Sequence, residues 1–218
     1  MELTKEQIQR VEHYLNVKNI KYIDVRFEVL DHIVSDIETT IEKNNLDFET
    51  AFYKVTDKWN THLKETSSWF FGIAHSAPKI IIDKAKKLFK KWFFILPAVY
   101  FMISFFNYKL NIIFSKNIEN VINLFFQITS VFCFVLYVIV LILISRSKEK
   151  TTYRFIFKTQ NLNLLIGTMI LLDFNFFNND GSLSLSLIGL LFAFILSTFM
   201  CFHFYRKHKE AVKKYKIS

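Results

Sequence analysis

Apolar residues recur every three or four positions in the first 60 residues, which is the period of an amphipathic α-helix. The first stripe consists of Ile8, Val11 and Leu15. Thr4 and Gln7 stand just before it at the spacing of a capping box, in which each side chain binds a backbone N–H at the start of the helix. The pattern therefore predicts a first helix that begins after Thr4.

Two further amphipathic helices follow. The second is predicted over about Tyr22 to Lys43, with the apolar stripe Phe27, Leu30, Val34, Ile37 and Ile41. Asn44 and Asn45 are expected to end it, and Asp47 to cap a third helix whose stripe is Phe48, Phe52, Val55 and Trp59. We expect these three helices to share a small core within residues 1–75.

The rest of the chain contains long apolar runs of the length that crosses a bilayer. Four spans are predicted, at Trp92–Tyr108, Val121–Ser145, Leu162–Phe177 and Leu183–Tyr205. The predicted fold is all-α, with a cytoplasmic three-helix module (1–75), a basic amphipathic interfacial linker helix (76–91), a four-span transmembrane domain (92–205) and a basic cytoplasmic tail (206–218).

The third span is the shortest of the four and contains Asp173. We expect it to take in residues 155–160 as well or to lie where the bilayer is thin. A re-entrant third segment, with fewer crossings, is the alternative.

Between the module and the first span, six lysines alternate with apolar residues. They are Lys79, Lys84, Lys86, Lys87, Lys90 and Lys91. A basic amphipathic stretch lies in the membrane interface, where its apolar face is buried and its charges attract anionic lipid. A calmodulin-type target or a nucleic-acid patch fits the composition too, but the adjoining span favours the membrane surface.

The formal net charge of +9 is unevenly distributed. Residues 1–70 hold 13 of the 19 acidic residues and 9 of the 28 basic ones. Of the remaining 19 bases, 17 collect before the first span, between the second and third spans and after the fourth span, and only Lys109 and Lys116 lie between the first and second spans. By the positive-inside rule, both termini are predicted to be cytoplasmic in a multi-pass protein of the cell inner membrane. This distribution argues against nucleic acid as a partner.

Glu28, His32 and Asp36 are spaced four residues apart and share one face of the second helix. Such ligands could hold a divalent metal, whereas a solvated helix face needs none, and we favour the solvated face. Together with Asp31 these residues are predicted to form an interaction face for a cytoplasmic protein partner.

Small residues recur every fourth position along the fourth span, at Gly189, Ala193, Ser197 and Cys201. A ridge of small side chains lets another helix approach closely. It is predicted to pack within one chain, and a homo-oligomer interface is the alternative. The polar residues of the spans, such as Gln127, Asp173 and His203, lie near the predicted ends, where a charge or amide does not mark a transport path.

No phosphate-binding loop, nucleophile elbow, zinc-protease motif or Cys-x-x-Cys pair occurs in the sequence. The chain is therefore expected not to be an enzyme and to need no cofactor or metal. Cys133 and Cys201 stand in apolar runs, where a thiol behaves as a small hydrophobic group.

The run from Tyr22 to His32 and the run from Leu46 to Phe52 resemble the HAAS domain, a helical module at the cytoplasmic N-terminus of bacterial membrane proteins. The resemblance covers about the first third of the chain. It implies a regulatory module, in a family often associated with PadR-like transcriptional regulators.

The sequence thus predicts a non-enzymatic membrane protein in which a protein-interaction or regulatory module is coupled to the membrane bundle. The alternative is a small oligomeric channel, transporter or membrane-permeabilising effector. A membrane enzyme is the third reading, and no recognisable catalytic set supports it.

Overall fold

The structure is a computed structural model that describes residues 2–110, 112–160 and 162–216. Its helices are α1 (Lys5–Val17), α2 (Ile23–Asn44), α3 (Phe48–Leu63), α4 (Lys79–Leu110), α5 (Lys116–Ser145), α6 (Thr152–Lys158), α7 (Leu162–Leu172) and α8 (Leu185–Lys216). The predicted all-α class is confirmed. Ile217 and Ser218 of the predicted basic tail lie outside the described residues.

The first helix forms as its sequence predicts. Thr4 and Gln7 make both hydrogen bonds of the capping box, and Val11 and Leu15 are fully buried. The predicted cap of α3 is confirmed as well, because the Asp47 side chain accepts a hydrogen bond from the backbone N–H of Thr50 at 3.3 Å.

The buried stripe of α2 differs from the prediction. Its members are Val25, Val29, Ile33, Ile37 and Ile41, whereas Phe27 is 44% exposed. Leu30 and Val34 are half-buried. Both stripes satisfy the helical period and share Ile37 and Ile41, so the period alone does not choose between them. The Phe27 ring stacks on Tyr215 of the C-terminal segment, at 5.7 Å between centroids.

A β-hairpin that the sequence did not predict follows α3. Strand β1 (Glu65–Ser68) pairs antiparallel with β2 (Gly72–Pro78), and a single 3₁₀ turn, Trp69–Phe71, connects them. Gly72 has φ of 86°, which side chains rarely tolerate, so glycine permits the chain to leave the turn here.

Helix α4 begins at Lys79, so residues 76–78 of the predicted linker helix belong instead to β2. From Lys79 the helix continues without interruption to Leu110 and contains Pro97 in its interior. The predicted basic linker and first span are therefore parts of one helix.

Four helical segments of the described chain are long and apolar enough to cross a membrane. They are Lys79–Leu110, Lys116–Ser145, Thr152–Leu172 and Leu185–Tyr215. The third differs from the predicted Leu162–Phe177, because α7 ends at Leu172 and the candidate span takes in α6 and the turn after it, and so includes residues 155–160. The composition and length of these segments indicate a multi-pass membrane protein.

The chain divides into two compact units. Unit 1 consists of Met1–Lys87, Lys148–Ile156 and Lys207–Ser218, and unit 2 of Leu88–Ser147 and Phe157–Arg206. Unit 1 thus combines the N-terminal module with two segments far along the chain. The boundaries proposed from the sequence, at residues 75, 91 and 205, stay a prediction.

Candidate functional site

The carboxylate of Asp24 is buried in unit 1, with only 4% of the residue exposed. It belongs to the first turn of α2, where the helix dipole favours a negative charge. Its Oδ1 accepts a hydrogen bond from the backbone N–H of Thr152 at 2.9 Å. This bond joins the N-terminal module to the segment that follows α5.

Lys84, in the second turn of α4, provides the charge opposite Asp24. Its Nζ donates to the backbone carbonyl of Asp24 at 2.8 Å and lies 3.9 Å from Oδ2 of the same residue. It also contacts Oε2 of Glu28 at 3.4 Å. Among the described residues, Asp24 Oδ2 accepts no hydrogen bond, so the buried charge is only partly compensated.

The backbone next to Asp24 binds the same distant segment. The N–H of Ile23 donates to the carbonyl of Lys150 at 3.0 Å, and Tyr22 and Lys150 form a parallel bridge. Burial, together with the nearby charge of Asp24, raises the pKa of the Tyr22 hydroxyl to about 12. Tyr22 therefore stays neutral at physiological pH.

The C-terminal segment joins through Thr151. Its Oγ1 lies 2.8 Å from Nδ1 of His208 in a buried position and accepts the N–H of Arg154 at 3.1 Å. The Thr151 hydroxyl donates to the His208 nitrogen in one imidazole tautomer and accepts from it in the other. We refer to the set Asp24, Lys84, Thr151, Thr152 and His208 as the junction cluster.

Sequence reasoning missed the junction cluster. Asp24 is one of several acidic residues on α2, and the residues that meet it are 60 and 128 positions away. The sequence feature that could have pointed to Asp24 is its position directly before the apolar stripe Val25, Val29 and Ile33. Many exposed helices share that feature, so it does not identify a buried carboxylate.

The predicted interaction face is only partly free. Glu28, Asp31 and His32 are exposed, and Glu28 contacts Lys84. Asp36 is half-buried and accepts a hydrogen bond from the indole N–H of Trp59 at 2.9 Å. Glu28 and Asp36, two of the three residues weighed as metal ligands, thus contact different partners. Residues 2–110, 112–160 and 162–216 contain no group of three His, Cys, Asp or Glu side chains suited to a metal ion.

Much of the apolar face predicted for residues 76–91 is covered by protein, and the contact of this stretch with lipid stays a prediction. Ile81, Ile82, Ala85 and Phe89 are each at most 3% exposed, so protein already covers them. The lysines of the stretch differ in exposure. Lys84 and Lys86 are half-buried, whereas Lys79, Lys87, Lys90 and Lys91 are exposed. Ile80 and Leu88, two further apolar residues of the stretch, are half-buried.

The small-residue ridge of α8 packs closely inside unit 2. A Cβ at Gly189 would lie 2.5 Å from Ser104 Oγ and 2.8 Å from the Tyr100 ring of α4. Ser197 and Cys201 are buried, at 3% and 1% exposed. Gly189 therefore lies where α4 and α8 of the same chain approach closely, while the role of the whole ridge stays a prediction.

A mostly apolar cavity of about 350 Å³ lies beside the ridge, lined by Pro97, Tyr100, Asn163, Ala193 and Ser197 among others. Asn163 Nδ2 and Ser197 Oγ are buried without a hydrogen-bond partner among the described residues. Of the other polar residues in this unit, Gln127 donates to the carbonyl of Phe174 at 2.7 Å, and Asp173 is exposed.

Comparison with protein families, with curated proteins and with solved structures finds no match. The resemblance to the HAAS domain accordingly stays a prediction.

Proposed function

We propose that this chain is a non-enzymatic multi-pass membrane protein in which unit 1 acts as a cytoplasmic protein-interaction or regulatory module. In this proposal the module is coupled to the four-helix membrane domain through the junction cluster. The observation that carries the proposal is the hydrogen bond between Asp24 and the backbone of Thr152.

The coupling follows from where Thr152 stands in the chain. Thr152 is the first residue of the third candidate span, and Lys150 and Thr151 precede it directly. A change in α2 that moves Asp24 changes the hydrogen bonding at the start of that span. In this proposal the Asp24–Thr152 contact is the element whose arrangement both sides bias, which is what regulation across a protein requires.

The proposed orientation places both termini in the cytoplasm and the protein in the inner membrane. Two observations support it. The segments with the highest density of lysine and arginine include 79–91, 146–158 and 206–216. Unit 1 contains parts of all three, which agrees with a location on one side of the membrane.

The proposed partner surface is the acidic side of α2. Glu28, Asp31 and His32 are exposed there, and Ser35 continues the same face one turn later. A cytoplasmic protein with a basic surface fits this chemistry, since opposite charges favour encounter and orientation. The HAAS-like character of the module belongs to the same proposal.

Site-specific photo-cross-linking in membranes tests the partner surface. The full-length protein carries a photoreactive amino acid at Ser35, and at exposed Thr61 of α3 in the matched control. We expect one discrete adduct with another protein from Ser35 and none from Thr61.

The double substitution Glu28→Lys and Asp31→Lys should abolish the Ser35 adduct, whereas Glu12→Lys, at an exposed position of α1, should leave it unchanged. An adduct that survives the double substitution, or the lack of any adduct from Ser35, would contradict the proposed partner surface.

The channel or transporter alternative has weaker support. The small-residue ridge that suggested an oligomer is occupied at Gly189 by Tyr100 and Ser104 of the same chain. Ion flux through liposomes containing the purified protein, and not through protein-free liposomes, would favour the alternative.

A further inference from the structure

The tip of the β-hairpin, defined here as residues 69–73 (the 3₁₀ turn and the first two residues of β2), exposes large apolar side chains. Trp69 is 77% exposed and Ile73 is 80% exposed, higher fractions than any other large hydrophobic residue described in unit 1. The strand that leads to the tip, Glu65–Ser68, is entirely polar. The apolar surface is therefore concentrated at the tip and does not extend along the hairpin.

The conformation of the tip is fixed by local contacts. The Ser68 hydroxyl accepts a hydrogen bond from the N–H of Phe70 at 3.3 Å, and the Trp69 and Phe70 rings lie 6.4 Å apart. Phe71 is 4% exposed and packs edge-to-face on Phe155 at 5.4 Å between centroids. Phe71 thus anchors the turn, and Trp69 projects from a fixed support.

The anchoring residue indicates where the tip lies. Phe155 is the fourth residue of the candidate span Thr152–Leu172. The tip consequently packs at the end of a segment apolar enough to cross a membrane, and that end is where a bilayer interface would begin. Trp is enriched at this level, since its ring is apolar and its N–H can reach the headgroups.

We infer that the hairpin tip inserts into the headgroup–acyl boundary of the bilayer through Trp69 and Ile73 and anchors unit 1 to the membrane surface. The exposed lysines of the same unit, Lys79 and Lys87, add attraction to anionic lipid. The tip supplies the apolar contact that the buried face of residues 81–89 does not make.

This inference rests on the proposed membrane location but not on the acidic partner surface. A lack of lipid contact at Trp69 would therefore contradict the membrane anchor alone, and a lack of the Ser35 adduct would contradict the partner surface alone.

Fluorescence quenching by brominated lipid tests the insertion. The full chain is reconstituted in phosphatidylcholine–phosphatidylglycerol vesicles with Trp59→Phe and Trp92→Phe, which leaves Trp69 as the single tryptophan of the three. In vesicles brominated near the carbonyl end of the acyl chains, we expect the emission of Trp69 to fall strongly, because an interfacial apolar face is buried about 5–10 Å into the headgroup–acyl boundary, which is where the bromines lie. A matched variant with Trp69→Phe and Trp92→Phe reports from Trp59, in the three-helix module, and should lose almost no emission.

A second pair of positions makes the test independent of Trp69. In a chain with all three tryptophans replaced by Phe, Ile73→Trp should be quenched and Ser67→Trp, on the polar strand, should not. Equal quenching of Trp69 and Trp59, or of Ile73→Trp and Ser67→Trp, would overturn the inference. Emission of Trp69 that changes with protein density in the vesicle and not with bromination would assign the tip to a second copy of the chain and would overturn it as well.

Discussion

Asp24 and Thr152 are 128 positions apart in the chain, yet the backbone N–H of Thr152 donates to Oδ1 of Asp24 at 2.9 Å in a buried position. The bond connects the first turn of α2 with the first residue of the third candidate span. The side chain of Asp24 thus makes the connection between two regions that the sequence separates by two other candidate spans.

Replacing Asp24 by Ala should loosen this connection. The N–H of Thr152 would lose its acceptor and Lys84 its closest buried carboxylate, and a lost hydrogen bond to a charged group costs about 1.5–3 kcal/mol. Hydrogen exchange measured by mass spectrometry on the reconstituted protein should show faster exchange over residues 148–156.

Asp31→Ala is the control, since Asp31 is exposed on the same helix and its replacement should leave that exchange unchanged. Unchanged exchange in Asp24→Ala would mean that the carboxylate does not hold the segment.

Two adjacent threonines should respond differently to the same substitution. Thr151→Val removes a hydroxyl that contacts His208 and accepts from Arg154, so we expect a loss of about 1–3 kcal/mol in stability. Thr152→Val removes a buried hydroxyl that makes no hydrogen bond among the described residues, and it should be neutral or stabilising. Thermal unfolding in one detergent at one heating rate compares the two variants. Equal shifts in the apparent midpoint would contradict the assigned hydrogen bonds.

Local signals in the sequence were sufficient for much of the fold. The caps at Thr4 and Asp47 depend on neighbours three residues away, and long apolar runs need no partner to be recognised. The buried stripe of α2 was harder to predict, because two sets of apolar positions on this helix fit the helical period equally well. Tertiary contacts, such as that of Phe27 with Tyr215, decide which set is buried.

The hairpin and the junction cluster could not be predicted for a different physical reason. Strand β1 has four residues of Glu, Thr and Ser, without alternating apolar positions, and its stability depends on pairing with β2. Asp24 likewise acquires its role from Lys84 and Thr152, which are distant in sequence. A single sequence provides no signal for which distant residues meet.

Adding a side chain at Gly189 should separate α4 from α8. A Cβ there would lie 2.5 Å from Ser104 Oγ, closer than side-chain atoms pack, so Gly189→Leu should destabilise the protein by about 1–3 kcal/mol or more. Ala98→Leu, at an exposed position of α4, adds bulk without a buried neighbour and serves as the control. The measurement is the apparent unfolding midpoint together with oligomeric state by light scattering. If Gly189→Leu changed only the oligomeric state, the ridge would be an interface between chains.

The N-cap of α3 should make part of the stability sensitive to acid. Hydrogen bonding from the Thr50 side chain, and then from the Thr50 backbone N–H, holds the pKa of Asp47 below its usual range. Because the folded pKa is the lower one, the stabilisation is present above the usual aspartate pKa and is lost as the pH falls through the folded pKa. Asn caps a helix about as well as Asp but does not titrate, so Asp47→Asn should match the natural chain at pH 7 and lose less stability in acid.

Asp47→Ala completes the comparison, because it removes the cap at every pH. It should be less stable than the natural chain at pH 7 and should approach it in acid, where the protonated Asp47 has lost its charge. The helix signal of circular dichroism, followed during thermal unfolding from pH 7 to pH 3, measures all three proteins. If Asp47→Asn showed the same acid dependence as the natural chain, then other carboxylates, and not the cap of α3, would control the response to acid.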